Sequence, residues 1–174
     1  RLGVAFGEKI ELVGYEVGVS DVEPGSEVLL TLYWRCLEEM NRNYGLRIEI
    51  LGTNARVYGD LSLHPGHGSL PTSLWKPGDV FGETYQVPLA EDIATPSLAY
   101  IRVSFLADGS SPDSLDALDG DGNPTEVAFG RLVIRARQEL QVEHPIYYEL
   151  GGRAALIGYG IDSTAERQLT VTLF

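Results

Sequence analysis

Apolar and polar residues alternate with a period of two over much of this chain. The alternation is clearest in residues 28–35, 44–51 and 98–105, where aliphatic and aromatic side chains occupy every second position. Successive side chains of a β-strand point to opposite faces of a sheet, so each stretch predicts a strand with one core face and one wetter face. Helical periodicity is confined to residues 37–43, which predict at most one turn.

Turns with recognisable chemistry separate the predicted strands. Pro-Gly pairs at residues 24–25 and 77–78 supply the fixed φ and the positive φ of a type II turn, and residues 119–124 form a third reversal. This spacing predicts an all-β fold, an antiparallel two-sheet sandwich of jelly-roll or immunoglobulin-like type with about eight strands. The core parity changes within residues 127–134, which predicts a β-bulge near Gly130.

The chain repeats its own opening near its end. Residues 12–17 (LVGYEV) return as residues 156–161 (LIGYGI), 144 positions later. The following strand, residues 30–33 (LTLY), returns as residues 171–174 (VTLF), 141 positions later. A period of this length is typical of whole domains in tandem, because solenoid repeats span only about 20–50 residues.

The repeat divides the chain into three parts. We predict a complete β-sandwich module at 1–136, a polar linker at 137–148 and the first two strands of a second, truncated copy at 149–174. The chain starts at Arg1 and its one methionine is Met40, so we expect it to be a segment of a longer protein. Two strands alone cannot bury their apolar faces. We therefore expect them to dock on the first module, to associate with another chain, or to exchange between protomers.

Composition excludes some classes of partner. The chain has 13 Lys and Arg against 25 Asp and Glu, a formal net charge of −12, and no basic cluster, so nucleic acid is not an expected partner. No stretch has the roughly 18 apolar residues of a membrane span. Cys36 is the single cysteine, which excludes a disulfide within the chain and predicts a small buried hydrophobe.

A series of short motifs follows the predicted strands in a fixed order. The run Pro-Thr-Ser-x-Trp-x-Pro-Gly-acid at 71–79 is the most specific, and the others are Leu12–Tyr15, Pro24–Gly25, Leu30–Trp34, Tyr44, Tyr85–Leu89 and Gly130–Ile134. Together, over roughly residues 5–136 and again from 149, they resemble a β-sandwich module of bacterial membrane glycosyltransferases. In those multi-pass enzymes, related to protein O-mannosyltransferases, the module occurs in tandem beyond the membrane-spanning part.

The resemblance implies an extracytoplasmic, non-catalytic accessory module within a membrane-embedded parent protein. It implies no catalytic residues in this chain, because transfer chemistry in that family sits in the membrane domain. Two positions depart from the family pattern. Glu49 stands where a histidine is common, and residues 106–108 (Leu-Ala-Asp) lack the aromatic residue that commonly precedes the aspartate.

Trp75 is the centre of a candidate ligand site. With Tyr58 and Tyr85 it is predicted to form an aromatic platform for a sugar ring, whose hydroxyls would bond three polar side chains. Those polar residues are Asp60, His64 and His67. The alternative is that Trp75 caps the end of the sandwich and that the Pro-Thr-Ser run is a structural corner.

An oxygen-rich turn is the one candidate metal site. Asp119, Asp121 and Asn123 match the first half of an EF-hand loop, but Pro124 and Gly130 stand where that loop needs glycine and glutamate. An irregular calcium site and a solvated hairpin turn both remain open, and no other cofactor is expected. The two histidines at 64 and 67 are too few ligands for zinc.

These features favour a non-catalytic accessory module of a cell-envelope glycosyltransferase that binds a glycan or an envelope protein. A purely structural tandem spacer with no ligand is the first alternative, and a glycoside-active enzyme domain is the second. No Gly-x-Ser-x-Gly elbow and no phosphate-binding glycine loop is present, so no enzymatic activity is expected.

Overall fold

The chain forms an all-β structure. The computed structural model describes residues 2–53, 55–107, 114–136, 143–151, 154–163 and 169–173. The chain divides into two compact units, Arg1–Ala136 and Arg137–Phe174, which are described separately below. Among the described residues, no helix combines the length and the apolar composition needed to cross a membrane.

The described part of the first unit contains eleven strands and two short 3-10 turns. Eight of the strands have three or more residues, which matches the predicted number. The strands are β1 (Val4–Phe6), β2 (Ile10–Val17), β3 (Asp21–Val22), β4 (Glu27–Cys36), β5 (Tyr44–Gly52), β6 (Val57–Leu63), β7 (Val80–Pro88), β8 (Ser97–Ala107), β9 (Ser114–Leu115), β10 (Ala117–Leu118) and β11 (Ala128–Ile134). The 3-10 turns, Gly66–Gly68 and Thr72–Leu74, lie between β6 and β7.

Two sheets make up this unit, as the sequence predicts for a sandwich. Sheet A has the strand order β10-β1-β2-β4-β7, and sheet B has the order β3-β11-β8-β5-β6, with β9 paired to the end of β8. The chain crosses between the sheets from β4 to β5, from β6 to β7, from β7 to β8, from β9 to β10 and from β10 to β11. One pair departs from the antiparallel prediction. The two-residue strand β3, in the connection from β2 to β4, reaches the edge of sheet B and pairs parallel with β11.

The core lies where the inner faces of the two sheets meet. In β4, the alternating residues from Val28 to Cys36 are almost completely buried, as the period-two pattern predicts. Phe105 from sheet B packs edge-on against Trp34 and Phe6 from sheet A, with ring centroids 5.2 and 5.3 Å apart. Such aromatic pairs add to the free energy of burial and fix the spacing of the two layers.

Local turn chemistry is confirmed at the positions where it was predicted. Gly25 and Gly78 have φ values of 74° and 92°, as type II turns require. The register between β11 and β8 shifts between Phe129 and Arg131, and Gly130 adopts a φ of 63°, so the predicted bulge is present. No helical turn forms in residues 37–43. The backbone there bonds instead to Lys9, whose carbonyl accepts the Leu37 amide at 2.8 Å.

The second unit contains one described sheet, sheet C, with the order β12-β13-β14. Its strands are β12 (His144–Leu150), β13 (Ala154–Ser163) and β14 (Leu169–Leu173), all paired antiparallel. The predicted linker at 137–148 and two-strand remnant at 149–174 therefore need correction, because β12 begins inside that linker. Its alternating Ile146, Tyr148 and Leu150 give it the pattern of a half-buried strand. Self-association or exchange of these strands stays a prediction.

The pairing register of sheet C reproduces that of β1, β2 and β4. Phe6 pairs with Ile10, and 144 positions later Leu150 pairs with Ala154. Tyr15 of β2 pairs with Leu32 of β4, and Tyr159 pairs with Leu173 at the two offsets seen in the sequence. The repeat thus extends upstream to β12, which corresponds to β1.

Candidate functional site

The outer face of sheet B carries a cluster of charged residues near its middle. Residues 44, 46, 48 and 50 of β5 point into the core, so residues 45, 47, 49 and 51 point outward. The register places Glu49 directly opposite Arg102 of β8 on one side and Asp60 of β6 on the other. Arg47 lies one step along the same face, opposite Ser62 and Ser104.

Glu49 is the buried centre of this charged cluster. Only 4% of the residue is exposed, and both of its carboxylate oxygens are bonded. Arg102 donates through Nε at 2.9 Å and approaches through Nη2 at 2.8 Å, while Arg47 Nη2 lies 3.1 Å from the other oxygen. A buried carboxylate needs such partners, because an unpaired charge in a low-dielectric site is strongly destabilising. The two arginines are therefore held in fixed positions.

Arg102 links the cluster to a neighbouring groove. Its Nη1 donates to Glu126 at 3.3 Å, and the hydrogen bond to Glu49 is the main cause of a raised Arg102 pKa, partly opposed by burial. The groove beside it has a volume of ≈ 340 Å³ and is lined by Leu51, Thr53 and the half-exposed ring of Tyr100, among others. An exposed aromatic ring next to fixed polar groups is a suitable surface for a ligand that has both apolar faces and hydroxyls.

A second groove opens at Gly45, at the other end of the same face. It has a volume of ≈ 300 Å³ and is lined by Gly45, Arg47, Ser62, His64 and Leu106, among others. Two grooves therefore flank the Glu49 cluster, and Arg47 and Arg102 each line one of them. Side chains on the central strands of a sheet are positioned more rigidly than side chains on loops, which suits them to recognition.

The predicted aromatic platform is not formed by the three rings that were expected to build it. Trp75, Tyr58 and Tyr85 all belong to the buried core, so none of them offers a ring face for stacking on a sugar. This part of the prediction is wrong because each ring is covered by neighbouring strands and loops. Tyr58, for instance, packs so closely on Gly52 that a Cβ there would lie 2.4 Å from the ring.

Trp75 caps the sandwich, which is the alternative that the sequence left open. Its Nε1 donates to the Leu70 carbonyl at 3.1 Å, and its ring packs edge-on against Phe81 at 4.4 Å. The adjoining Thr72 hydroxyl accepts the Tyr44 amide at 3.0 Å, so the Pro-Thr-Ser run ties the loop to the start of β5. The most specific motif of the chain is thus a structural corner.

Tyr85 has a structural bond of its own. Its hydroxyl donates to Glu83 at 2.8 Å, and burial, followed by this bond, raises the pKa of Tyr85. Glu83 also accepts the backbone amides of Gly66 and His67, at 2.8 and 3.1 Å. His67 is exposed in the loop that Glu83 anchors, away from the Glu49 cluster.

Asp60 and His64 are the two predicted ligand residues that lie on the outer face of sheet B. Asp60 is exposed and faces Glu49, and His64 lines the groove at Gly45. They were predicted for a platform on Trp75, but their place in the fold connects them with Arg47 and Glu49. The structure therefore separates the six predicted residues into a core group, a loop histidine and two members of a different site.

The predicted calcium turn uses its first carboxylate to hold its own backbone. Asp119 Oδ1 accepts the amides of Asn123 and Asp121, both at 2.9 Å, and these bonds lower the pKa of Asp119. Asp121 and Asn123 are exposed on the same turn. Across the described residues, no three His, Cys, Asp or Glu side chains converge as a metal site would require. The geometry is that of the solvated hairpin turn.

Four residues of the outer face were not predicted from the sequence to belong to a binding site: Arg47, Glu49, Tyr100 and Arg102. The signal that could have found them is a charged residue at an outward position in the middle of a long apolar strand. Arg47 and Glu49 occupy two such positions in β5, and Arg102 occupies one in β8. Their pairing depends on strands 53 residues apart in the chain, which the pattern of one strand does not reveal.

Comparison with known proteins supports the fold. No family model matches the chain, and no curated protein matches it either. A crystal structure of the C-terminal domain of Wzt is similar, with a TM-score of 0.53, 9% identity, and coverage of 80% of this chain and 84% of that domain. At this identity the likeness shows the fold alone.

Two weaker matches carry no argument. A Bacteroides uniformis β-glucuronidase has a TM-score of 0.38 and 10% identity, and the match covers 79% of this chain and 16% of the enzyme. A structural genomics target has a TM-score of 0.32 and 12% identity, with coverage of 84% and 97%. The resemblance to the glycosyltransferase-associated module stays a prediction.

Proposed function

We propose that this chain is a non-catalytic accessory module that binds a glycan on the outer face of sheet B. The observation that carries the proposal is the buried Glu49 carboxylate, which holds Arg47 and Arg102 between two grooves, with each arginine lining one of them. Buried charge in the middle of a sheet costs stability unless it is fully paired. A recognition role explains why the fold keeps a buried carboxylate, and not an apolar residue, between two partly exposed arginines.

The chemistry of the face suits a sugar. Tyr100 is 38% exposed and lies opposite Leu51 on one side and Arg131 on the other, so its ring is accessible for contact with sugar C–H groups. Arg102 and Asp60 provide donors and acceptors for hydroxyls along the next row of the face. Because ion pairs already fix the arginines, little side-chain entropy is lost when a ligand binds.

The context we propose is the cell envelope, as part of a larger membrane-embedded glycosyltransferase. The motif at 71–79 and the tandem repeat support this context. In it, the module lies outside the cytoplasm and binds a glycan or an envelope protein as the acceptor for transfer. The similarity to the C-terminal domain of Wzt supports only the sandwich class of the module.

A structural spacer without a ligand is the second candidate function. The observation that favours it is the repeated register of sheet C, since tandem copies of one sandwich are a usual way to build an extended spacer. The spacer needs no ligand surface, so the two candidates make opposite predictions about the outer face of sheet B.

A binding experiment with matched variants separates the candidates. A glycan array identifies ligands, and calorimetry then compares the wild-type chain with Tyr100→Ala and Tyr33→Ala. We expect Tyr100→Ala to weaken binding about tenfold, because loss of a stacked ring removes up to about 1.5 kcal/mol. Tyr33 points outward from sheet A, where its hydroxyl donates to Glu16 at 3.1 Å, so Tyr33→Ala is the control and leaves binding unchanged.

Two results would contradict the glycan-binding function. An array on which no glycan binds supports the spacer. If the chain hydrolyses chromogenic glycosides and one carboxylate substitution abolishes that activity, the chain is an enzyme and not an accessory module. Thermal unfolding of each variant is measured alongside, so that a loss of binding is not confused with a loss of the fold.

A further inference from the structure

The groove at Gly45 is a slot created by a missing side chain. Gly45 lies between two strands on the outer face of sheet B, opposite Leu106, and a Cβ added to it would meet only ordinary contacts. The nearest of these are His64 Cε1 and the Leu63 carbonyl oxygen, both at 3.8 Å. The floor of the slot is therefore backbone, with Leu106 on the side of β8 and His64 on the side of β6.

The polar lining of the slot consists of a cation and neutral groups. Arg47, Ser62 and His64 are its polar side chains, and none of its eight lining residues, all in the described part of the chain, is acidic. This composition is unusual for a protein with 25 acids against 13 Lys and Arg. In contrast, the groove on the other side of the cluster includes Glu126 in its lining.

Arg47 has hydrogen-bonding capacity that its contacts in the described structure leave unused. Its side chain is 40% exposed, and it contacts Glu49 through Nη2 at 3.1 Å. Its Nε is buried and lacks a hydrogen-bond partner within the described residues. Because Nε is covered by protein atoms, a ligand in the slot contacts the exposed part of the Arg47 side chain.

We infer that the Gly45 slot binds the carboxylate of an acidic sugar residue, an inference that rests on the proposed glycan-binding function. Guanidinium and carboxylate groups match in geometry and charge, and the planar fork of arginine gives the pair directional specificity. Glu49 already balances part of the charge of Arg102 and Arg47, so the slot suits a monoanion such as a uronic acid. Leu106, at 44% exposure, gives the sugar ring an apolar wall.

The test compares acidic oligosaccharides with neutral ones of the same shape. The probes are oligomers of glucuronic and galacturonic acid and their carboxyl-reduced counterparts, in which a hydroxymethyl group replaces the carboxylate. Binding to the full chain is measured by calorimetry for the wild type, Arg47→Gln and Arg131→Gln. Arg131 is an exposed arginine on the same face outside the slot, so Arg131→Gln is the matched control.

We expect tight binding to depend on the carboxylate of the ligand and on Arg47 of the protein. The wild type binds at least one acidic oligosaccharide about tenfold more tightly than its reduced form, and Arg47→Gln removes that difference without weakening the reduced form. Arg131→Gln leaves the difference between the acidic and the reduced form unchanged to within about twofold, because Arg131 lies outside the slot. A tenfold change corresponds to 1.4 kcal/mol, the ordinary scale of one charge-assisted hydrogen bond.

The failure of the inference and the failure of the proposed function give different results. Equal affinity of the wild type for acidic and reduced forms overturns the carboxylate slot and leaves glycan binding in place. If the wild type binds neither form and no glycan on the array, both the carboxylate slot and the glycan-binding function are overturned. Gly45→Val provides a second variant, because its added methyl groups fill the slot and valine suits a strand. It is expected to reduce binding of the acidic form, and full retention of that binding by a folded variant overturns the inference.

Discussion

The same three-strand element occurs twice in this chain, with one pattern of pairing and two different environments. β1, β2 and β4 belong to sheet A, whose inner face is buried against sheet B. β12, β13 and β14 repeat their register in sheet C. Phe6 is 1% exposed whereas its counterpart Leu150 is 54% exposed, and Leu32 is fully buried whereas its counterpart Leu173 is 67% exposed.

The difference shows which part of a sandwich is specified locally. The turn after the first strand and the pairing register follow from residues close together in sequence, so both copies share them. Burial depends on a second sheet, which in the first unit is supplied by β5, β8 and β11. Six exposed apolar residues of sheet C occupy positions that correspond to an inner face: Ile146, Tyr148, Leu150, Ile161, Val171 and Leu173. Tyr147 and Ile157 are also exposed, at positions outside that inner face.

The largest expected effect comes from truncating equivalent residues in the two copies. Phe6→Ala should destabilise the first unit by about 3–5 kcal/mol, because it leaves a cavity between Trp34 and Phe105. Leu150→Ala should change the stability of the second unit by less than about 0.5 kcal/mol, as at other exposed positions. Tryptophan fluorescence follows unfolding of the first unit, and hydrogen exchange of β13 amides follows the second. Similar losses in both would show that sheet C is buried as well.

Trp75 caps the sandwich of the first unit, where both sheets are present. Trp75→Ala should destabilise the first unit by about 3–5 kcal/mol, as expected for a large aromatic at 1% exposure. Trp75→Phe keeps a ring against Phe81 but loses the bond to the Leu70 carbonyl, so a smaller loss of about 1–2 kcal/mol is expected. Denaturant unfolding measures both. Unchanged stability of Trp75→Ala, with glycan binding lost, would restore the aromatic platform.

A pair of equivalent glycines gives an intermediate effect. Gly7 and Gly151 both have positive φ, at 53° and 60°, at the turns that follow β1 and β12. A Cβ at Gly7 would lie 2.8 Å from Leu115 Cδ2, whereas a Cβ at Gly151 has nothing within 4 Å. Gly7→Ala should therefore cost about 2–3 kcal/mol, from strain and crowding together, and Gly151→Ala about 1 kcal/mol from strain alone. The losses of stability are measured by the methods used for Phe6→Ala and Leu150→Ala. Equal losses in the two glycine variants would refute this difference in environment.

The smallest effect concerns the apolar surface itself. Val171→Lys on sheet C should lower the fluorescence of a dye that binds exposed apolar surface, with less than about 0.5 kcal/mol change in stability. Leu29→Lys is the control. Leu29 is 46% exposed on the outer face of sheet A, where its neighbours are polar. Equal loss of dye fluorescence in the two variants would show that sheet C has no special apolar face.

The sequence is most informative where structure depends on near neighbours. The strand alternation, the type II turns and the bulge at Gly130 follow from residues within one or two strands. The parallel contact of β3 was not predictable, because a two-residue strand has no period, and neither was β12, whose start is hidden in a polar segment. Tyr58 and Tyr85 were misplaced because burial is decided by the opposite sheet.

The candidate site depends in the same way on contacts between residues that are distant in the sequence. Glu49 and Arg102 are 53 positions apart and meet only through the register of β5 and β8. Asp60 and His64 were predicted to bind a sugar stacked on Trp75, yet they belong to the face that contains Glu49. Charge at outward positions of central strands was visible, but only the fold shows that these charges contact one another.

The outer face of sheet B, and not the apolar face of sheet C, is the ligand surface in this proposal. The most direct measurement is a two-dimensional NMR titration of the isotope-labelled full chain with the glycan that binds best on the array. We predict that the perturbed amides cluster in residues 45–49, 60–64 and 100–106, along β5, β6 and β8. Perturbations confined to sheet C or to the outer face of sheet A would contradict it.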